Sequence, residues 1–435
     1  MLAHMEPANP ATDSPTPKGG KKSFGWYLLL AVLLLAGAGI WLQKTASRPL
    51  EVTAQTPVAT STTQVTTSTD IGVSRITEIS ASDQNVKGGS VYSFAAFVKS
   101  LVMHVAVPDE VRGLYLTAYT AGSTRADELL AYSTARHLNT WVIDVKLDNG
   151  ELAFAPNDED LQKYAAADLA IKDLDGLLAR LKDKNIYRIA RIFVMRDGAY
   201  GKIHPSVSLR DVKGGIWHDK TGTPWLDPAA PEVADYAVAV AQEAYARGFD
   251  EIQFDYIRYP TDGNVSSIVY PVYDEKTPKA VIMKRFFDRV GDALKKDDIP
   301  VSYDLYGMTF WRTDDFGIGQ RLASVYPTAI AVSPMVYPSH YPEGFQGFAN
   351  PAEHPYEIVK LSLDKGIEIL KIDYPQVDEQ QARKKFRPWI QDFDIGATYD
   401  APKIEAQIKA ARDAGAGGWL LWNARNVYEP AKYTH

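Results

Sequence analysis

Eight short runs of β-branched, aromatic and other apolar residues alternate with helical stretches between Arg112 and Trp422, and no other feature limits the fold so tightly. The strand-like runs are Arg112–Thr120, Thr140–Leu147, Tyr187–Val194, Glu251–Tyr259, Pro300–Tyr306, Ala329–Tyr337, Phe386–Phe393 and Gly417–Trp422. Between them lie helical patterns at 124–138, 174–184, 231–248, 279–296, 316–325, 355–366 and 401–414. Strict alternation of this kind implies parallel strands joined by right-handed crossovers. Eight such units in a chain of this size predict a (β/α)8 TIM barrel with insertions. An open doubly wound sheet is the competing arrangement, but no Gly-rich phosphate loop follows the first strand.

The fourth run shows what the barrel presents. In DEIQFDYIRYPTDG, residues 250–263, Ile252, Phe254 and Tyr256 share one face and Glu251, Gln253 and Asp255 share the other. A carboxylate in the middle of a strand's polar face has to be solvated, paired or used. In a barrel, side chains that act on a ligand gather at the carboxyl ends of strands. The candidates there are Asp144 and Lys146 on the second strand, Arg191 on the third, Asp255 and Arg258 on the fourth, and Asp304 and Tyr306 on the fifth. Tyr337 and His340 follow on the sixth, Gln391 and Asp392 on the seventh, Trp422 and Asn423 on the eighth.

Asp255 and Asp304 stand out because neighbouring parallel strands run about 4.8 Å apart, close enough for two carboxyl groups to serve one reacting centre. Glycosidic bond cleavage needs such a pair, one acid holding its proton and one ionised carboxylate. The bland alternative is a buried aspartate paired with Arg191 or Arg258. Lys146, beside Asp144, is either a Schiff-base lysine or half of an ion pair inside the barrel. Trp389 and Gln391 share parity and are expected to point inward, which turns Asp392 outward. No two of the histidines stand in an HxH or HxxxH pair, so no catalytic metal and no cofactor are expected.

The ends of the chain read differently. Residues 1–23 are polar and end in a basic cluster of Lys18, Lys21 and Lys22. Residues 24–42 then run without a charge, long enough to cross a bilayer, with Trp26, Tyr27 and Trp41 near the ends. The lysines predict a single-pass signal anchor with a cytoplasmic tail and an extracytoplasmic remainder; a cleaved signal peptide with TAS at 45–47 is the rival. Residues 43–100 read as a Thr/Ser-rich linker closed by an amphipathic helix over 91–103, and 101–435 as the barrel domain. The absence of cysteine excludes disulfides and thiolate chemistry, and a net charge of −7 gives no footprint for nucleic acid.

Taken together, FDEIQFDYIRYP, VSYDLYG, VSPMVYPSHYPEG, RPWIQDF, GGWLLWNARNVY and the opening RGLYLTAYTAG resemble the putative glycosyl hydrolase domain family, bacterial TIM-barrel proteins related to glycoside hydrolases, over roughly residues 108–430. The resemblance implies a nucleophile or base at Asp255 and places Gln253 where related barrels carry an orienting arginine. Related barrels use a glutamate on the fifth strand, where this chain has Asp304, and Glu343 is a second acid candidate. The expectation is a membrane-anchored hydrolase of a cell-envelope or exported polysaccharide, with Asp255 and Asp304 catalytic. Tyr259, Tyr337, Trp389 and Trp422 would then stack on sugar, and Asp144, Lys146, Gln253, Arg258, His340, Gln391 and Asn423 would complete the substrate site. A catalytically silent glycan-binding barrel is the alternative, and a lysine- or metal-dependent lyase the weaker third.

Overall fold

A computed structural model of the protein describes residues 103–428. The expected anchor at 24–42, the linker, and all but the last residue of the helix expected over 91–103 lie outside the described residues. Among the described residues, no helix is long and apolar enough to cross a membrane.

Eight parallel strands close a barrel: β1 (Val111–Leu116), β2 (Thr140–Asp144), β3 (Tyr187–Phe193), β4 (Glu251–Asp255), β5 (Val301–Tyr306), β6 (Ala331–Met335), β7 (Trp389–Gln391) and β8 (Gly418–Trp422). Each strand pairs with its neighbours in sequence, and β8 returns to β1 with Val111 opposite Gly418. Between them run α1 (Arg125–Ala135), α2 (Leu174–Asp183), α3 (Pro231–Arg247), α4 (Lys279–Lys296), α5 (Leu322–Val325), α6 (Pro355–Asp373) and α7 (Ala401–Asp413). The (β/α)8 architecture is therefore the one the alternation predicts.

Local chemistry sets the helix limits. α3 starts on Pro231, whose missing N–H costs nothing in a first turn, and stops at Gly248, which takes a left-handed φ of 114°. Asp173 and Asp400 cap α2 and α7 by accepting from the backbone N–H of Gly176 and Lys403. On α4, Ile282, Met283, Phe286, Phe287, Val290 and Leu294 make one buried stripe at helical spacing. These stripes meet the outward faces of the strands in one apolar layer, and a second cluster containing Val142, Ile189, Trp389 and Leu420 fills the barrel interior.

Three boundaries differ from expectation. The helix expected over 316–325 shrinks to 322–325 because Phe316, Gly317 and Gly319 take φ values of 52°, 68° and 82°, which a right-handed helix cannot contain. The last strand-plus-helix pair holds a β7 of only three residues, preceded by Pro388, which has no N–H for the ladder. α6 runs past the expected end at Gly366, where the glycine serves packing rather than termination: a Cβ there would lie 2.2 Å from Cδ1 of Phe310.

The bottom of the barrel is tied by charge. Arg188 donates through Nε to Asp250 at 2.8 Å, and Asp250 also accepts from the backbone of Arg188 at 2.8 Å and of Val105 at 2.7 Å. One layer up, Glu251 accepts from Arg387 at 2.7 Å and from Tyr187 at 2.9 Å, with Ser302 on its other oxygen. The inward face of β4, Glu251, Gln253 and Asp255, is thus a polar column through an otherwise apolar interior.

Candidate active site

The top of that column is where the strands converge chemically. Arg191 on β3 lies opposite Asp144 of β2 and Gln253 of β4 in the ladder. Its guanidinium reaches three aspartates: Nη1 donates to Asp144 at 2.7 Å, Nη2 to Asp255 in a very short contact, and Nε to Asp304 at 3.4 Å. Nε and Nη2 form one edge of the fork, so that edge carries both Asp255 and Asp304. Trp389 donates its indole N–H to the other oxygen of Asp304 at 2.7 Å, and the Tyr115 hydroxyl donates to Asp144.

One cation faces three buried carboxylates, and burial decides the balance. Asp304 is wholly buried, and desolvation, then the charge of Asp255, hold its carboxyl well above the usual range against the pull of Arg191. Burial also pushes Asp144 up to about 6, although Arg191 and the Tyr115 hydroxyl both favour its ionised form. The site therefore holds aspartates that keep protons where free ones would have lost them.

The chain leaves β4 through an unusual turn. Tyr256 has a φ of 52°, a left-handed conformation costly for an aromatic residue, and its backbone N–H donates to Asp255 at 2.6 Å. The ring of Tyr256 meets the edge of Phe193 at 5.3 Å, and Phe193 in turn lies 4.6 Å from the guanidinium of Arg191. On the far side Trp422 stacks on Tyr115 with centroids 4.1 Å apart and lies 5.0 Å from Arg191. Trp422 is half-buried beside the carboxylates.

Of the residues singled out in the sequence, Asp144, Asp255, Asp304, Trp389 and Trp422 come together around Arg191. Trp389 lies fully buried beneath the site, where its N–H orients Asp304, instead of offering a face for stacking. Gln253 sits one layer below, donating to Ser333 at 3.1 Å while its amide oxygen is buried without a partner. Tyr337 is nearly buried, with its ring against His340 and Phe393 and its hydroxyl within reach of the charge of Asp304. His340 is exposed at the rim, and Gln391 accepts from the backbone of Ser339 at 3.2 Å, holding the loop after β6. Glu343 is exposed on that loop.

Four others belong to the frame. Lys146 is buried in an ion pair with Asp197 and donates to the carbonyl of Phe193 at 3.0 Å, which is the ion-pair arrangement with a different aspartate from the neighbouring Asp144. Tyr259 is fully buried against Tyr270 and Tyr273, so it has no face for a sugar. Asn423 spends its amide on the carbonyls of Asp392 and Val427, both at 2.8 Å, and its oxygen on the N–H of Arg425. Asp392, buried, acts on the hydroxyls of Tyr132 and Tyr428 instead of joining the three aspartates.

Two residues are more central than the sequence made them, although Arg191 was already a candidate partner for a buried aspartate. Arg191 was one strand-end candidate among many, and the signal lay in its inward parity beside Asp144 and Gln253. Tyr115 stood within RGLYL without any mark of polarity. Among the described residues, no cluster of three His, Asp or Glu side chains is placed to hold a metal ion, and the Arg191 guanidinium occupies the point where the three aspartates converge.

Comparison with known proteins follows the same lines. No curated protein matches the chain in sequence. Among solved structures, a hypothetical protein from Ruminiclostridium thermocellum is 28% identical over 47% of this chain and 98% of its own, with a TM-score of 0.39. The glycoside hydrolase domain of PgaB (BpsB) from Bordetella bronchiseptica is 12% identical over 72% of this chain and 94% of its own, at 0.49. The spore cortex-lytic enzyme SleL of Bacillus megaterium is 12% identical over 74% and 72%, at 0.44. The model of the family described as "Putative glycosyl hydrolase domain" matches residues 113–428, most of the chain and all eight strands after the first two residues of β1, and the chain belongs to that family.

Proposed function

We propose that the chain is a glycoside hydrolase in which Asp255 attacks the anomeric carbon or activates water, and Asp304 supplies the proton or stabilises the transition state. The observation that carries this reading is the shared guanidinium edge: Arg191 holds Asp255 and Asp304 side by side, and burial makes Asp304 hold its proton more tightly beside its partner. A carboxyl group that holds its proton tightly, set beside a second carboxyl group, suits acid–base cleavage of a glycoside. Trp422, half-buried and stacked on Tyr115, provides an aromatic face beside them for a sugar ring.

The uncharged run at 24–42 and the lysines before it support an anchored, extracytoplasmic enzyme of the bacterial inner membrane, and the linker supports a substrate within tether reach, a cell-envelope or exported polysaccharide. A second reading, a silent glycan-binding barrel, is favoured by one feature: Arg191 is bonded to all three aspartates, as a purely structural ion cluster would be. Reducing-end release by the full chain on a panel of envelope polysaccharides, with Asp255→Asn alongside, separates the two. Release by the wild type and none by the folded variant is expected. Glycan binding by both with release by neither selects the silent barrel.

A further inference from the structure

Arg258 stands three residues beyond Asp255 on the loop leaving β4, and its surroundings differ from those of the other arginines at this end of the barrel. It is half-buried, lying 5.1 Å from the ring centre of Trp225 and 5.4 Å from that of Tyr256. Its Nη1 donates to the Tyr259 carbonyl and the Thr261 hydroxyl, both at 3.1 Å and both neutral. Among the described residues no carboxylate pairs with it. Arg196, on the same Tyr256 ring at 5.5 Å, is neutralised by Asp219 at 3.0 Å, and Arg191 by its three aspartates.

An uncompensated cation pressed against two aromatic rings has lost part of its hydration, and the ring faces replace only some of it. A planar guanidinium that bonds through Nη1 alone keeps Nε and Nη2 without a hydrogen-bond partner among the described residues, and that pair is the edge that grips a carboxylate or sulfate by two oxygens. The ring of Tyr256 is the link to the chemistry, since it lies 5.4 Å from the Arg258 guanidinium and 5.3 Å from Phe193, which lies 4.6 Å from Arg191. Two aromatic rings thus separate the unpaired cation from the arginine that holds the proposed nucleophile.

We infer that Arg258 is the reader of an anionic substituent, a carboxylate or sulfate carried by the sugar next to the scissile bond, so that the substrate is an acidic glycan. This rests on the hydrolase reading for the position of the scissile bond. A loop-bracing role alone would leave Arg258 indifferent to the charge of the glycan.

The test is calorimetric binding to the full chain in an Asp255→Asn background, which separates binding from turnover. The probes are hexuronic-acid oligosaccharides, their carboxyl-reduced neutral counterparts, and sulfated galactan oligosaccharides. The acidic form of at least one probe is expected to bind at least roughly tenfold tighter than its neutral counterpart. Arg258→Gln should reduce that ratio to about twofold or less, with Arg258→Lys between, because lysine keeps the charge and loses the fork. The carboxylate and sulfate arms identify the group. Equal binding of acidic and neutral probes, a ratio that survives Arg258→Gln, or no binding of any acidic probe overturns the inference. Reducing-end release from neutral glycans alone would remove it while leaving the hydrolase standing; charge-selective binding through Arg258 without any release would do the reverse.

Discussion

Replacing Asp144 by asparagine tests the balance of forces at the site most directly. Two influences oppose one another there: Arg191 at 2.7 Å and the Tyr115 hydroxyl favour the ionised carboxylate, and burial favours the neutral acid. Burial wins, raising the group from 3.8 to about 6. A folded-state value above the unfolded one means that the folded protein binds this proton more tightly. Its stabilising contribution is complete below the unfolded value and is lost as pH rises through 6. Two units correspond to about 3 kcal/mol. Asparagine keeps the shape and never ionises, so the stability of Asp144→Asn relative to wild type should rise by about 2.5 kcal/mol between pH 4 and pH 8. Subtracting the two proteins removes the carboxylates they share, and the leading charge acting on Asp304 is Asp255, not Asp144. The assay is urea unfolding of both proteins followed by tryptophan fluorescence across that range. A difference that stays flat, or that falls as pH rises, would mean that Arg191 holds Asp144 ionised and would refute the reasoning.

The other predictions concern the pair, the frame and the packing. Asp255→Asn should lower turnover by on the order of 10²–10⁴-fold with the fold intact, measured by reducing-end release and circular dichroism. Activity should decline as pH rises through the raised value of Asp304 and the proton is lost, and Trp389→Phe, which removes a hydrogen bond to the ionised form, should move that decline to higher pH; a move to lower pH contradicts the assignment. Arg188→Met leaves Asp250 buried without its cation and should cost about 3–5 kcal/mol in urea unfolding. Gly366→Ala should destabilise by about 1–3 kcal/mol despite alanine's better helix propensity, because its methyl group meets the Phe310 ring; a stabilised variant would show that the ring moves aside freely.

Much of this site was legible before folding because parity is a local property. Residues 251, 253 and 255 had to share a face, and so had 389 and 391, whatever packed against them. Which of them met a ligand was not local. Tyr259 reads as a strand-end aromatic suited to stacking, yet Tyr270 and Tyr273 from an insertion cover it. Lys146 reads as the partner of Asp144, yet Asp197, fifty-one residues on, takes it. Trp389 reads as a platform and serves as a hydrogen-bond donor from below.

The sequence by itself determined the barrel, through the repeated change from period two to period 3.6, and the register of polar residues along each strand, since both follow from backbone geometry within a few residues. Only the tertiary structure decided that a single arginine from β3 gathers aspartates from β2, β4 and β5 and that burial makes two of these aspartates hold their protons more tightly than free ones. Those outcomes depend on distances between side chains far apart in the chain and on how much water the closed barrel excludes, and neither quantity is written in any local stretch of residues.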